Sequence, residues 1–435
     1  MNPLPRSLVI NFNSPELGYL GLGLAEAGAL ARYVRPYANK GRLWERTLAS
    51  LPLAGPTYAR TFGRRRIADK RLASLTFEAG VAADIGVAVL GRLPSIAAEL
   101  RLRCTSRLEE RVRHAVARAA VKFVADADCV VAYVGFGLPA FEELHARGAR
   151  GAVVSYPIAH HRYHRALQRE EHERDPEFAA TWPTLDAWPA KYEEQIDREI
   201  ATADRILVGS SYVRESFALE GIDPRKIAVA PYGVDLATFT AGAPRTASTG
   251  GTKTFEAIFV GQLSQRKGIA YLLRAYRRFR RPDTRLTLVG NSPASDEALR
   301  PYANLVRRVP HQTRSALAEM YRASDVFVFP TLLEGMPLVV LEAMACGLPV
   351  IVTANGPGDV VRDGIDGFIV PSRDERAICA RLERLYRDPE LCVEMGRNAR
   401  ARAQEFTWAA YSRRVIDRLA DLARPVEARH LAATR

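Results

Sequence analysis

The sequence has 435 residues, 48% of them hydrophobic, and 62 Lys and Arg against 49 Asp and Glu give a formal net charge of +13. This length exceeds what one hydrophobic core usually organises, so it predicts two domains. The five cysteines show no CxxC or Cys/His metal spacing, and the first twenty residues lack a secretory signal pattern. No run of eighteen apolar residues predicts a membrane-spanning helix. We therefore expect a cytoplasmic protein with reduced thiols.

The first part of the chain predicts a strand, a glycine-rich loop and a helix. The apolar run SLVINFN is followed by Gly18, Gly21 and Gly23, whose spacing does not fit the dinucleotide pattern G-x-G-x-x-G. We expect these glycines to allow close approach of the loop backbone to a ligand, which makes them candidate contacts.

Four further apolar runs predict strands after an Arg-rich, helical region from about residue 32 to residue 125. They are CVVAYVGF, GAVVSYP, RILVGSS and KIAVAPYGVD. Continuous apolar strands are typical of parallel sheets covered on both faces. A stretch rich in Gly, Thr, Ser and Ala, residues 240–253, predicts the connection between two domains.

Strands and helices alternate regularly after this connection. The predicted strands are FEAIFVG, RLTLVG, a short LVRRVP, DVFVFPT and PVIVTAN, and the apolar piece DGFIV follows them. This alternation indicates an α/β chain with doubly wound parallel sheets, and we place an N-terminal domain at residues 1–236 and a second domain at residues 237–405. Ligands of such sheets bind outside the carboxyl ends of the strands, so we expect a site in a cleft between the two domains.

The stretch PTLLEGMPLVVLEAMACGLPVIV contains two glutamates, Glu334 and Glu342, with seven residues between them. Pro337 and Gly347 bound a short helix, and Glu342 lies within it among apolar residues. A buried carboxylate needs partners, and these are either groups of the protein itself or the two hydroxyls of a ribose.

The amides at the start of this helix favour an anion. Gly335, Met336 and Leu338 lie where backbone N–H groups have no acceptor within the helix. A phosphate or a carboxylate bound at this end would therefore be stabilised.

The loop FVGQLSQRKG places Arg266 and Lys267 after the carboxyl end of a predicted strand. Two cations at this position suit a diphosphate, and the alternative is an ordinary basic surface loop.

Together these residues resemble the family-4 glycosyltransferases, which are retaining, nucleotide-sugar-dependent enzymes of bacterial polysaccharide and glycoconjugate synthesis. The Glu-seven residues-Glu stretch, PYGVD, GQLSQRKG and FTWAAYSRRV occur in the order of that family's motifs. The resemblance is specific over residues 205–422 and weak over residues 1–150. It implies a GT-B architecture of two Rossmann-like domains, with a C-terminal helix and tail at residues 406–435 that crosses back to the N-terminal, acceptor-binding domain.

The resemblance also implies roles for individual residues. Glu342 would bind the ribose, Glu334 would contact the donor sugar, and Lys267 would neutralise the diphosphate. Many members carry arginine where this chain has Gln262, so Arg266 is the expected substitute for that charge. The complete nucleotide-sugar set is Gly261, Gln262, Arg266, Lys267, Glu334, Gly335, Met336, Pro337, Leu338 and Glu342.

Histidines follow the strand GAVVSYP in the segment YPIAHHRYHR. Members of the family place one histidine after this strand against the donor sugar, which favours His160 as a catalytic residue together with Glu334, Lys267 and Arg266. His161 is the alternative, and His164 has the pattern of a solvated basic loop.

Acidic residues give no metal pattern. The only D-x-D, residues 126–128, precedes a strand and so lies at the wrong end of the sheet. Glu170, Glu171 and Glu199 resemble acidic residues of the family, although a solvated helix face explains them equally well. We expect no metal and no cofactor, with cations and helix amides stabilising the departing diphosphate instead.

The sequence therefore predicts a retaining hexosyltransferase that moves sugar from a UDP- or GDP-linked donor to a glycan or a lipid-linked glycan. The alternatives are a nucleotide-sugar epimerase or a phosphorylase-like enzyme of the same fold. A nucleic-acid-binding protein is a distant alternative because no RNP, zinc-finger or helix-turn-helix pattern occurs. A nicotinamide dehydrogenase lacks its glycine fingerprint.

Basic residues of the first domain alternate with apolar ones in two segments, residues 58–71 and residues 106–125. This pattern is consistent with a peripheral enzyme on an anionic inner leaflet. It is equally consistent with apolar stripes that pack on the core.

Overall fold

The computed structural model describes residues 4–52, 55–90, 98–183, 189–242, 254–293 and 296–423. Most of the predicted connection at residues 240–253 lies outside these ranges. The chain forms two compact units. The first comprises Met1–Tyr156, Pro189–Leu207 and Ser412–Arg435, and the second comprises Pro157–Trp188 and Val208–Tyr411. The boundaries placed at residues 236 and 405 stay a prediction.

The first sheet has the strand order β3-β2-β1-β4-β5-β6-β7. Its strands are β1 Ser7–Ile10, β2 Leu30–Arg35, β3 Thr76–Glu78, β4 Cys129–Tyr133, β5 Ala152–Tyr156, β6 Arg205–Val208 and β7 Ile227–Val229. The pairings from β3 to β5 are parallel. All four residues of β1 are buried, as the continuous apolar pattern predicts.

Two strands, β2 and β3, lie in the region that the sequence predicts to be helical. Arginines interrupt the apolar pattern of β2, but the fold provides both with partners. Arg35 donates a hydrogen bond of 2.7 Å to Asn13, and the Arg32 guanidinium lies 4.9 Å from the centre of the Phe123 ring. Pairing with β1 therefore outweighs the local helical signal.

The second sheet has the order β10-β9-β8-β11-β12-β13, and its pairings are parallel. Its strands are β8 Phe255–Val260, β9 Thr284–Val289, β10 Arg307–Val309, β11 Val326–Phe329, β12 Val350–Val352 and β13 Gly367–Ile369. The five strands predicted for this half are confirmed, and the piece DGFIV contains the sixth strand, β13. The chain order reverses between β8 and β11, and such a reversal opens a crevice at the carboxyl edge of the sheet.

Helices connect the strands of both sheets. Those of the first half are α1 Pro15–Glu26, α2 Leu43–Ser50, α3 Gly55–Phe62, α4 Lys70–Leu75, α5 Val81–Leu90, α6 Ala98–Val121, α7 Leu138–Ala146, α8 His161–Arg174, α9 Pro176–Ala179, α10 Ala190–Thr202 and α11 Ser211–Leu219. Those of the second half are α12 Ile269–Phe279, α13 Arg314–Arg322, α14 Leu338–Ala345, α15 Glu375–Arg387, α16 Pro389–Ala403 and α17 Trp408–Ala423. The doubly wound α/β prediction is thus confirmed.

Gly18, Gly21 and Gly23 lie inside α1, so the prediction of a glycine loop before this helix is wrong. Pro15 at the first turn starts the helix earlier than the glycines suggest. A Cβ at Gly21 would lie 2.9 Å from the Tyr33 ring, and one at Gly23 would lie 2.7 Å from Ser412. These two glycines allow close packing of α1 within the first unit.

The C-terminal helix α17 begins in the second unit and continues from Ser412 in the first. Ser412 Oγ donates a hydrogen bond of 2.9 Å to the carbonyl of Tyr19 in α1. This course confirms the predicted helix that crosses back.

The apolar side chains of the two basic segments are buried. Tyr58 and Phe62 belong to a core cluster with Tyr37 and Ala88, and Val112 and Val116 of α6 are fully buried. The stripes therefore pack inside the first unit. Among the described residues, no helix is both long enough and apolar enough to cross a bilayer.

Candidate functional site in the second unit

The candidate site is built on the two loops that follow β8 and β11, the neighbouring strands at the reversal of chain order. After β8 the chain passes Gly261 and the exposed Gln262 and forms a 3₁₀ turn at Gln265–Lys267. Gly268 ends this turn in the left-handed region, with φ of +72°, and α12 begins directly after it. The turn therefore lies at the carboxyl edge of the sheet, as predicted for Arg266 and Lys267.

The backbones of the two loops are in direct contact. A Cβ at Gly268 would lie 1.9 Å from the carbonyl oxygen of Pro330, so a side chain has no room there. The N–H of Leu332 donates a hydrogen bond of 2.9 Å to the carbonyl of Arg266. The spacing between the loops is thus fixed by the main chain.

This contact brings Glu334 to the two predicted diphosphate cations. Arg266 Nη1 donates hydrogen bonds to Glu334 Oε1 and, at 3.0 Å, to the carbonyl of Leu333. Lys267 Nζ donates to the same Glu334 oxygen. All three side chains are less than one-fifth exposed. The three groups carry one net positive charge, which suits an anionic ligand.

Burial sets the protonation of this cluster. It lowers the pKa of Lys267 to about 8, and the nearby Arg266 acts in the same direction while Glu334 opposes both. For Glu334 burial alone would raise the pKa, but Arg266 and Lys267 together lower it. At neutral pH Glu334 is therefore ionised, and Lys267 is close to its titration range.

The helix α14 begins at Leu338, with Pro337 as its N-cap residue. A Cβ at Gly335 would lie 1.7 Å from the carbonyl of Pro157, and the carbonyl of Gly335 accepts a hydrogen bond of 2.6 Å from Ser210. Met336 is buried. The start of the helix is thus held within the second unit, with its first amides at the same edge as Arg266.

Glu342 lies inside α14, as predicted, but it is half-buried rather than enclosed. One flank of the helix leaves this carboxylate partly in contact with solvent. Its charge adds to the effect of burial in raising the pKa of Tyr321. The position remains compatible with a ligand hydroxyl.

His160 is the N-cap of α8 and is buried, as are His161 and His164. The His160 N–H donates a hydrogen bond of 3.0 Å to Ser216, and its Nδ1 accepts one of 3.3 Å from Arg162. Burial lowers the pKa of His160 to about 3, and the neighbouring His161 and Arg162 add to the shift. His160 is therefore neutral at physiological pH.

The prediction of a solvated loop is wrong for His164. Its Nε2 accepts a hydrogen bond of 3.1 Å from the Trp182 indole, and burial followed by the charge of Arg266 lowers its pKa to about 3. The helix α8 directs this residue into the interior of the second unit, where the Trp182 ring lies 5.5 Å from the imidazole ring, centre to centre.

The sequence analysis gave a solvated helix face as one explanation of Glu171 and Glu199, and the structure contradicts that explanation for both. Both are fully buried. Glu199 accepts hydrogen bonds from the amides of Gly135 and Gly137, and burial raises its pKa to about 7. Glu171 binds Gln265, which lies 94 positions away, so no local pattern could have revealed the contact.

The second sheet is doubly wound, and at its reversal of strand order the partly buried cations Arg266 and Lys267 lie beside the carboxylate of Glu334. Residues 246–402, which lie in the second unit, match the family model described as Glycosyl transferases group 1.

Curated relatives agree with this match. The chain is 35% identical over 237 residues to a D-inositol 3-phosphate glycosyltransferase of Pseudarthrobacter chlorophenolicus, covering 51% of this chain and 56% of the relative. It is 33% identical over 269 residues to the protein of the same name from Kineococcus radiotolerans, covering 53% of this chain and 61% of the relative. The chain thus spans little more than half the length of these relatives.

Solved structures are similar over nearly the whole chain. Sucrose-phosphate synthase from Thermosynechococcus elongatus has a TM-score of 0.60 at 20% identity and covers 99% of both chains. HepE of Anabaena, solved in complex with UDP-glucose, has a TM-score of 0.59 at 14% identity and covers 96% of this chain and 100% of its own. At such low identity these likenesses establish the GT-B fold alone.

Proposed function

We propose that the protein is a retaining glycosyltransferase that moves a hexose from a nucleoside-diphosphate sugar to an acceptor hydroxyl. One observation carries the proposal: Arg266 and Lys267 after β8 meet Glu334 after β11 at the reversal of strand order. Ligands of doubly wound sheets bind at this place. The match to glycosyl transferases and the names of the relatives support the same class.

The chemistry requires a diphosphate to leave the anomeric carbon. Arg266 and Lys267 would stabilise the negative charge that develops on it, and the amides of Gly335, Met336 and Leu338 would add to this effect. The acceptor oxygen would enter on the face that the diphosphate leaves, and the departing phosphate would take the acceptor proton. Glu334 and the neutral His160 would orient the sugar by hydrogen bonds, and Glu342 would bind the ribose.

The donor is a UDP- or GDP-linked sugar in this proposal. HepE is similar in fold and has been solved with UDP-glucose, which supports UDP as the first nucleotide to test. No metal or cofactor is part of the proposal, because the cationic cluster supplies the charge that a divalent ion would otherwise supply.

The acceptor is a polyol or glycan hydroxyl, free or lipid-linked. The relatives named for D-inositol 3-phosphate make a phosphorylated polyol a specific candidate. For a lipid-linked acceptor, the exposed cations Arg66, Lys70 and Arg71 of the first unit would attract the protein to an anionic membrane.

Thermal unfolding with UDP, GDP and ADP, alone and as their glucose conjugates, tests the donor. A bound nucleotide raises the melting temperature with the logarithm of its concentration over its dissociation constant. Incubation of the stabilising nucleotide sugar with D-inositol 3-phosphate, followed by NMR of the new anomeric proton, then tests transfer with retention. A product with inverted configuration would contradict the proposed mechanism.

An epimerase or a phosphorylase-like enzyme of the same fold is the second candidate. Product analysis without an added acceptor separates these activities from transfer. An epimerase changes the sugar of the donor under these conditions, and a phosphorylase acts only when inorganic phosphate is present. A transferase needs the added acceptor.

A further inference from the structure

The cationic turn is supported by a residue of the motif GQLSQRKG to which the sequence analysis assigned no role. Gln265 directly precedes Arg266 and is fully buried. Its N–H donates a hydrogen bond of 2.9 Å to Thr181, and its side-chain oxygen accepts one of 3.1 Å from the N–H of Ala270. The remaining side-chain nitrogen donates a hydrogen bond of 2.6 Å to Glu171. The start of the turn is therefore held by Thr181 and Glu171 on one side and by the first turn of α12 on the other.

Glu171 is a fully buried carboxylate with three donors from distant parts of the chain. Gln265 and the hydroxyl of Tyr271 contact its Oε1, each at 2.6 Å, and Arg373 Nε donates to its Oε2 at 2.9 Å. Burial raises the pKa of Tyr271, and the adjacent Glu171 raises it further, so this hydroxyl stays protonated and donates. A buried carboxylate with such partners holds its neighbours firmly, because any movement leaves a charged group unpaired.

Arg373 makes the arrangement tighter. It is one of two non-glycine residues with positive φ among the described residues, and its φ is +67°. Its guanidinium contacts both Glu171 and Glu170, at 2.9 Å and 2.6 Å. Such a conformation persists only where surrounding contacts determine it. Arg373 therefore anchors Glu171 through Oε2, whereas Gln265 of the turn contacts Oε1.

A further ion pair ties the same segment to the helix after the turn. Arg274 of α12 contacts Asp175 at the end of α8 with both terminal nitrogens. Residues 171–181 thus contact Gln265, which directly precedes the two cations, and also Tyr271 and Arg274 in the helix that follows them. A substitution at Glu171 would therefore shift Gln265, which is joined directly to Arg266 and is followed by Lys267.

We propose that Glu171 is a positioning residue that holds the turn Gln265–Lys267 in the orientation that binds a diphosphate. The proposal rests on the proposed function, since it assigns the diphosphate to this turn. Glu171 itself does not contact the ligand. Substitution of Glu171 should therefore weaken the binding of nucleoside diphosphates and leave the binding of the nucleosides alone nearly unchanged.

The experiment compares dissociation constants of UDP and uridine, and of GDP and guanosine, by calorimetry. The variants are Glu171→Gln and the matched control Glu170→Gln, which removes the adjacent, exposed carboxylate that also contacts Arg373. We expect Glu171→Gln to raise the dissociation constant of the nucleoside diphosphate about tenfold, roughly the effect of losing one charge-assisted hydrogen bond. The dissociation constant of the nucleoside should change less than about twofold. Glu170→Gln should change neither.

A swap adds a test that a merely structural role would not pass. The double variant Glu171→Gln with Gln265→Glu restores an amide–carboxylate pair in which position 171 carries the amide and position 265 the carboxylate. It should recover part of the lost affinity for the nucleoside diphosphate. If Glu171→Gln does not fold, Tyr271→Phe removes one donor to Glu171 and should give a smaller loss with the same selectivity for the diphosphate.

Equal losses for diphosphate and nucleoside, or an unchanged diphosphate affinity, would overturn the positioning role. The variant Lys267→Ala separates this failure from that of the proposed function. If Lys267→Ala weakens UDP or GDP and Glu171→Gln does not, only the positioning role is wrong. If neither nucleotide binds the unsubstituted protein, both proposals are overturned.

Discussion

Arg266 and Glu334 share a hydrogen bond although 68 positions separate them in the chain. Each follows a different strand, and the parallel arrangement of β8 and β11 brings them to the same edge. The carboxylate balances part of the charge of the two partly buried cations, Arg266 and Lys267. This relationship makes the stability of the free protein sensitive to Glu334.

The first prediction concerns that sensitivity. Glu334→Ala leaves Arg266 and Lys267 without their shared acceptor, so we expect a loss of about 3–5 kcal/mol in the free energy of unfolding. A bound diphosphate would replace the missing anion. Urea unfolding should therefore show a larger stabilisation by UDP in the variant than in the unsubstituted protein, whereas equal stabilisation of both would contradict this picture.

The second prediction concerns pH. With a pKa of about 8, Lys267 loses its charge between pH 7.5 and pH 9.5. In the proposed function a diphosphate binds the charged form. We expect UDP affinity to fall over this range, by at most about 25-fold, the ratio of the protonated fractions. Lys267→Arg keeps its charge and is the control. A fall of equal size in that variant would assign the effect to another group.

The third prediction concerns Glu342. A ribose held through both hydroxyls should bind more weakly without one of them, so UDP should bind more tightly than 2′-deoxy-UDP. Glu342→Gln should reduce this preference and leave the free energy of unfolding nearly unchanged, because the side chain is half-buried. The variant Glu319→Gln changes an exposed carboxylate on α13 and serves as the control. A preserved preference for the ribose would exclude Glu342 from the nucleotide site.

The fourth prediction separates two neighbouring histidines. His160→Ala should reduce the rate of transfer about tenfold to a thousandfold, as removal of a contact to the transition state does, with little change in UDP affinity. Because His160 has a pKa of about 3, its titration should not shape the rate between pH 5 and pH 8. If His161→Ala is the more damaging change, the assignment belongs to His161.

The fifth prediction concerns the membrane. Arg66, Lys70 and Arg71 are exposed, while Tyr58 and Phe62 nearby are buried, so attraction to lipid would be electrostatic. Co-sedimentation with vesicles of anionic lipid should fall with salt and after substitution of these three cations by Ser. Substitution of the exposed Arg307, Arg387 and Arg397 in the second unit is the charge-matched control. Absence of binding at low salt would favour a soluble acceptor.

The sequence predicted the second half of the chain well because its strands are short, apolar and separated by clear turn residues. The location of Arg266, Lys267 and Glu334 at the carboxyl edge of the second sheet could be predicted because each follows a strand end that the pattern marks. The contacts of Glu171 could not, since its partners lie 94 or more positions away in the chain and only the tertiary fold pairs them. The partner of His164, Trp182, lies 18 positions along the chain, which is beyond the reach of a local helical pattern. The strands β2 and β3 were missed for a related reason, because long-range pairing overrides a locally helical, Arg-rich pattern.

The main-chain contact between Gly268 and Pro330 has a thermodynamic consequence. The two loops acquire their spacing when the sheet folds, so their ordering is complete before any ligand arrives. Binding of a diphosphate then requires little additional loss of backbone entropy. A residue larger than glycine at position 268 would separate the loops, and affinity would decrease even though every charged group of the site remained.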